Sequence, residues 1–246
     1  MSEKNIKITV AYNGKNFNGW QKQKDSLGIQ GELEFACKSV FSLKEIEVIG
    51  SGRTDAGVHA LGQVANFKVD TTIPTEKFPE ILNNRLPKDI SVLCAEEVAE
   101  DFHSRHTAKR KTYRYQIYRS KIRSPFLKDI SYQVKYDLDV EKMKREVKFL
   151  IGKHDFCGFM SSGSSIKNTV REIFDANVFE QDELLIIEVS GSGFLYNMVR
   201  IIAGTMVDIG RGKIDESMKQ IIESKDRGRA GHTAPPQGLF LKYVEY

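Results

Sequence analysis

At 246 residues, 40% hydrophobic and 28% charged, the chain is long enough to bury one sizeable core or two smaller ones without disulfides or metals. Its three cysteines, Cys37, Cys94 and Cys157, are isolated and odd in number, which argues against a disulfide framework or zinc cluster and for a reducing compartment. The net charge of +4 is modest, no stretch approaches the ~18 apolar residues of a membrane helix, and MSEKNIKITV lacks the apolar region of a secretory leader, so a cytoplasmic protein is expected.

In chain order, KITVAYNG reads as a strand running into a turn, and GIQGELEFACKSVF places Ile29, Leu33, Ala36/Cys37 and Val40/Phe41 at helical spacing. IEVIG and GQVANFKVD are strands on either side of GRTDAG, TEKFPEILNNRLPKDI is a helix ended before Pro87, and SVLCAEEVA is a further strand. KTYRYQIYRS alternates strictly, with Tyr113, Tyr115 and Ile117 on one face. DVEKMKREVKFLIG is an amphipathic helix with Val140, Met143, Val147 and Leu150/Ile151 on its apolar side. A hairpin around Gln-Asp-Glu follows, then the apolar helix FLYNMVRIIAGTMVDIG, the short helix MKQIIES and a last strand, GLFLKYVEY. Two successive strand-helix-strand-strand-helix runs predict a duplicated α+β architecture with mainly antiparallel sheets, as halves 1–104 and 105–246.

The positive charge is local. Residues 105–124, RHTAKRKTYRYQIYRSKIRS, hold eight Lys or Arg and no acid, and the remainder of the chain is slightly acidic. A basic strip interleaved with tyrosines is the composition of a nucleic-acid surface.

The run Gly52-Arg-Thr-Asp-Ala-Gly57 admits several chemistries. A phosphate loop would need Lys and then Ser or Thr after the second glycine, where Val58 and His59 stand. The dinucleotide fingerprint also fails, since Asp55 replaces its third glycine. His59, His103 and His106 lack a convergent third ligand, so no metal is expected, and His59 reads as a hydrogen-bonded structural residue. An ordinary turn and a catalytic carboxylate both remain open at this point. Arg200 bears on the choice. It sits in a helix apolar around nearly its whole circumference, where a guanidinium needs an acid partner, and Asp55 is the most economical one. That pairing would keep the carboxylate ionised.

The blocks YNGKNFNGWQKQ, GRTDAGVHALGQV, DFHSRHTAKRKTYRY, GSGFLYNMVRIIAGT and AGHTAPPQGLFLKYVEY, in this order and nearly end to end, resemble the TruA family of bacterial tRNA pseudouridine synthases. The resemblance implies isomerisation of uridine to pseudouridine in the anticodon stem-loop of tRNA, without cofactor or metal. It also implies a homodimer, two ferredoxin-like halves and a basic active-site cleft between them. Carried over, Asp55 is the catalytic aspartate, Tyr113 stacks on the target base and can assist proton removal, and Arg200 is the basic partner of the aspartate. Arg53 holds the place of the extruded nucleotide. Thr54, His59, Arg105, Lys109, Arg110, Lys111 and Arg114 complete the expected substrate-binding set. The competing expectation is a non-catalytic tRNA-binding or tRNA-folding protein on the same scaffold.

Overall fold

In the computed structural model, which describes residues 3–24, 26–163 and 166–246, the chain forms two units. One comprises residues 1–109 together with Leu241–Tyr246, the other Arg110–Phe240.

In the first unit β1 (Lys4–Tyr12) is followed by α1 (Ile29–Phe41), β2 (Ile49–Gly50), β3 (His59–Val69), α2 (Phe78–Asn83) and β4 (Ile90–Val98). β1 is central and antiparallel to both β3 and β4, with Ile6 opposite Phe67 and Ile8 opposite Ala65. Its alternation buries Ile6, Ile8 and Val10 under α1, which contributes Ile29, Leu33, Ala36 and Cys37 at the expected spacing. Burial pushes the Cys37 thiol up to about 12, so it behaves as a small apolar side chain. Two expected elements are shorter than their sequence patterns. IEVIG pairs only over Ile49–Gly50, and the helix before Pro87 is a 3₁₀ turn, Thr75–Lys77, leading into α2. α2 stops at Asn83, whose side-chain amide bonds both backbone groups of Val92 at 3.0 and 2.7 Å.

In the second unit β5 (Arg110–Arg119), β6 (Tyr132–Val134), α3 (Val140–Glu146), β7 (Gly152–Asp155), β8 (Val170–Gln181), β9 (Leu184–Gly191), α4 (Met198–Gly210) and α5 (Met218–Ser224) follow in turn. β5, β9, β8 and β7 form an antiparallel run, and the three-residue β6 pairs with the end of β5 in parallel. The β8–β9 hairpin turns at Asp182–Glu183, where Asp182 takes a positive φ of 53°. α4 buries every residue from Met198 to Gly210 except Arg200. It starts four residues later than its apolar pattern, because Asn197 adopts φ 61° and ψ 6°, outside the right-handed helical region. The chain ends in β10 (Leu239–Glu245), beside β3. No helix among the described residues is long and apolar enough to cross a membrane.

Candidate active site

Asp55 lies on the loop between β2 and β3, and the N-terminal YNGKNFNGW segment fastens that loop from below. The backbone N–H of Trp20 donates to the carbonyl of Thr54 (3.1 Å), and that of Gly57 to Phe17 (3.2 Å). Val58 N–H closes a turn on the Asp55 carbonyl (3.1 Å). Behind the loop, Ser51 Oγ donates to Gln63 Oε1 (2.6 Å), and Gln63 Nε2 donates to the Gly52 carbonyl (3.0 Å). Gly19 is required here on two counts. Its φ is 86°, and a Cβ would stand 2.4 Å from the Thr54 carbonyl oxygen. The consequence is an in-out alternation: Ser51 and Thr54 are buried, Arg53 and Ala56 are exposed, and the Asp55 side chain is half-buried between them. The backbone that carries the Asp55 carboxylate is thus held at Thr54, Asp55 and Gly57.

Thr54 and His59 belong to the interior of this unit. The Thr54 hydroxyl bonds the Tyr12 phenol at 2.8 Å, and burial pushes that phenol well above its ordinary value, so it stays protonated. His59 is 1% exposed and accepts a hydrogen bond from the backbone N–H of Gly14 through Nδ1 (3.0 Å). That environment matches the structural reading of His59 made from the residues alone. Tyr12→Phe leaves the buried Thr54 hydroxyl without this partner, a loss of about 1–3 kcal/mol. The expected result is a lowered thermal midpoint by circular dichroism; an unchanged midpoint would show the bond to be immaterial.

In the second unit, the period of two along β5 sorts the basic strip into two faces. Tyr113, Tyr115 and Ile117 share the buried face; Tyr115 and Ile117 are fully enclosed, while Tyr113 keeps 8% of its surface exposed and packs its ring edge-on against Phe194 (centroids 5.0 Å apart, planes at 79°). Lys111 shares that parity. Arg110 and Arg114 point the other way, Arg110 over the Phe174 ring and Arg114 over Phe179. Arg114 is also held by Glu188 through Nε and Nη2 (3.3 and 3.4 Å) and by Gln181 through Nη1 (3.3 Å). The two arginines therefore lie across the strand from Tyr113. Arg105 and Lys109 are exposed in the first unit.

Arg200 is placed by a strap, residues 230–235, that runs along α4. Its Nε donates to the Ala234 carbonyl and its Nη1 to Asn197 Oδ1, both at 2.8 Å, while Ala234 N–H returns a bond to the Arg200 carbonyl (3.0 Å). The strap is fastened along its length. Gly231 N–H donates to Thr205 Oγ1 (2.8 Å), and Tyr115 donates its phenolic proton to the Pro235 carbonyl (2.8 Å). His232 Nδ1 lies 3.2 Å from Asp208 Oδ2. Asp208 is 1% exposed and also pairs with Arg211 (2.9 Å) and Lys213 (3.4 Å). The periodic reading had no acid placed near this helix, and Asp208 was masked there by the apolar residues around it.

Burial alone would raise the Asp208 pKa, but the His232, Arg211 and Lys213 interactions outweigh it and hold the carboxyl below its ordinary 3.8. A depressed folded-state value means the stabilisation is present above pH 3.8 and is lost as pH falls below it. Asp208→Asn should therefore melt earlier than wild type at neutral pH, with the difference shrinking on acidification below pH 4. A difference that grows on acidification would contradict this account.

Four groups that hold the Asp55 loop, the strap or Arg200 were not singled out in the sequence: Tyr12, Asp208, Asn197 and the carbonyl of Ala234.

A family profile described as tRNA pseudouridine synthase matches residues 8–107 and 147–246. The tRNA pseudouridine synthase A of Thermoanaerobacter sp. (strain X514) is 47% identical over 244 residues, 99% of this chain and 100% of that protein. The tRNA pseudouridine synthase A of Caldicellulosiruptor saccharolyticus is 48% identical over 244 residues, with the same coverage. Among solved structures, a chain of an archaeal box H/ACA sRNP Nop10-Cbf5 complex aligns with 83% of this chain and 43% of its own length, at 10% identity and a TM-score of 0.35.

Proposed function

The chain belongs to the tRNA pseudouridine synthase family, and from that premise we propose that Asp55, Tyr113 and Arg200 carry the isomerisation of uridine in the anticodon stem-loop of tRNA. The observation that carries this reading is the GRTDAG loop: a half-buried carboxyl between an exposed arginine and an exposed alanine, on backbone tied down at Thr54, Asp55 and Gly57. Fixed backbone with an accessible carboxyl is what a group acting on ribose or base needs, since catalytic geometry tolerates little misplacement.

The reaction breaks the bond between uracil N1 and ribose C1′, turns the base and joins C5 to C1′. N1 gains a proton and C5 loses one, so no oxidant, reductant or external group is consumed. The target base must leave its stack, which costs a few kcal/mol and least in a loop. In this reading Asp55 acts as an ionised carboxylate, at C1′, at C6 or on a ribose proton, and Arg200 supplies the positive charge that keeps it ionised. Tyr113, its ring plane set by Phe194, receives the base and stands with Asp55 as a candidate for removing the C5 proton. Arg53 holds the vacated position in the RNA, and Arg105, Lys109 and Lys111 bind phosphates. Arg110 and Arg114, which lie on the opposite face of β5, contribute at most to the general field. Thr54 and His59 serve by holding the loop.

The protein is proposed to act as a homodimer in the cytoplasm, without cofactor. The test is tritium release from C5-labelled uridine in unmodified tRNA, with light scattering for the oligomer. Release by the wild-type protein supports the isomerase; tRNA binding without release would support the non-catalytic alternative instead.

A further inference from the structure

We infer that Asn197 is a positioning residue for the reaction, whose side chain aims the Arg200 guanidinium; the inference rests on the role proposed above for Arg200. Asparagine at a helix start is ordinarily explained by capping, with its side-chain oxygen accepting from a backbone N–H of the first turn. Asn197 stands at that position for α4 and makes no such bond. Its Oδ1 instead accepts from Arg200 Nη1 at 2.8 Å, one turn along the helix. Capping therefore leaves the residue unexplained, and Arg200 explains it.

The backbone makes this possible. A capping residue is normally extended, whereas Asn197 has φ 61° and ψ 6°. Asparagine tolerates that region better than other side chains bearing a Cβ, and here the conformation turns the amide over the first turn of the helix. The amide is held at its other end as well. Asn197 Nδ2 donates to Ser161 Oγ at 3.0 Å, and Ser161 N–H donates to the Tyr196 carbonyl at 3.2 Å. Arg200 fixes the sense of the amide, because a flip would set its NH2 against a donor-only guanidinium, whereas the Ser161 hydroxyl could serve either end. Together with the Ala234 carbonyl on Nε, Asn197 gives the guanidinium two neutral acceptors set by different segments. Two fixed points define the plane of the group. Because both of these acceptors are uncharged, they orient the guanidinium without cancelling its charge.

The test uses Asn197→Gly, which keeps the positive φ without strain and removes only the side chain. Single-turnover pseudouridine formation should slow about tenfold to a hundredfold, the worth of a hydrogen bond to a charged group. The dissociation constant for tRNA should stay within about twofold, and the far-UV spectrum should match wild type. In an Arg200→Lys background, where the forked donor is already gone, Asn197→Gly should add little further loss. A purely structural residue would slow both backgrounds equally, and that additivity would overturn the inference. A wild-type rate for Asn197→Gly alongside an inactive Arg200→Ala would overturn it while leaving the role of Arg200 standing. An active Arg200→Ala would sink the role of Arg200 itself.

Discussion

Asp55→Asn should lose C5 tritium release by at least ~10⁴-fold, the scale seen when a group acting directly on the reacting atoms is removed, with fold and tRNA affinity retained. The asymmetry follows from how the loop is held. The bonds from Trp20 to Thr54, from Gly57 to Phe17 and from Val58 to Asp55 are all backbone to backbone, and asparagine leaves each of them in place. Tyr12 with Thr54, and Ser51 with Gln63, anchor the neighbours and not Asp55 itself. Affinity for tRNA comes mainly from cations meeting phosphates, and it falls steeply with salt whether or not chemistry occurs. The measurement pairs tritium release with filter binding at two salt concentrations and a thermal melt. Release by Asp55→Asn within a hundredfold of wild type would remove Asp55 from the chemistry. A loss of release accompanied by a collapsed melt would assign Asp55 to the fold instead.

Reading the sequence succeeded where a period repeats and failed where one residue decides. The alternation of KTYRYQIYRS put Tyr113, Tyr115 and Ile117 on one face, and that face is the buried one. The same period of two implied that Arg110 and Arg114 face away from Tyr113, yet grouping the cations as one basic strip concealed it. The apolar run from Phe194 to Gly210 looked like a single helix, because periodicity cannot register that Asn197 reverses the sign of φ. β6 and β7, of three and four residues, are too short to show alternation at all. Asp55 stood out locally, but its support comes from Tyr12 and Trp20, some 35 to 43 residues earlier, and nothing in a linear pattern specifies such a contact. Arg200 was legible as an oddity in an apolar helix. What places its guanidinium, a carbonyl on a strap 34 residues later, was not.

That strap makes Gly204→Ala the other change with a large expected effect, because two opposing terms differ clearly in size. On helix propensity alone the substitution should help: alanine is favoured over glycine in a helix interior by about 1 kcal/mol. Packing says otherwise. A Cβ on Gly204 would stand 1.8 Å from the His232 carbonyl oxygen and 2.8 Å from its carbon. Both are backbone atoms that no rotamer change can move. Either α4 or the strap must shift, and overpacking of this kind costs about 3 kcal/mol or more, which outweighs the propensity gain. The shift has a functional reading. His232 is two residues from Ala234, whose carbonyl sets Arg200 Nε, and it is itself tied to Asp208. Displacing the strap by about 1 Å should slow the reaction by roughly a hundredfold. Gly212→Ala is the control, since that glycine has φ 72° but nothing within 4 Å of a Cβ, so it tests strain without overpacking. Gly204→Ala should melt well below Gly212→Ala and lose most of its single-turnover rate, while Gly212→Ala keeps its rate. Equal melts for the two variants would mean that α4 and the strap do not meet at Gly204 in solution. A low melt with an unchanged rate would separate the strap from the placement of Arg200.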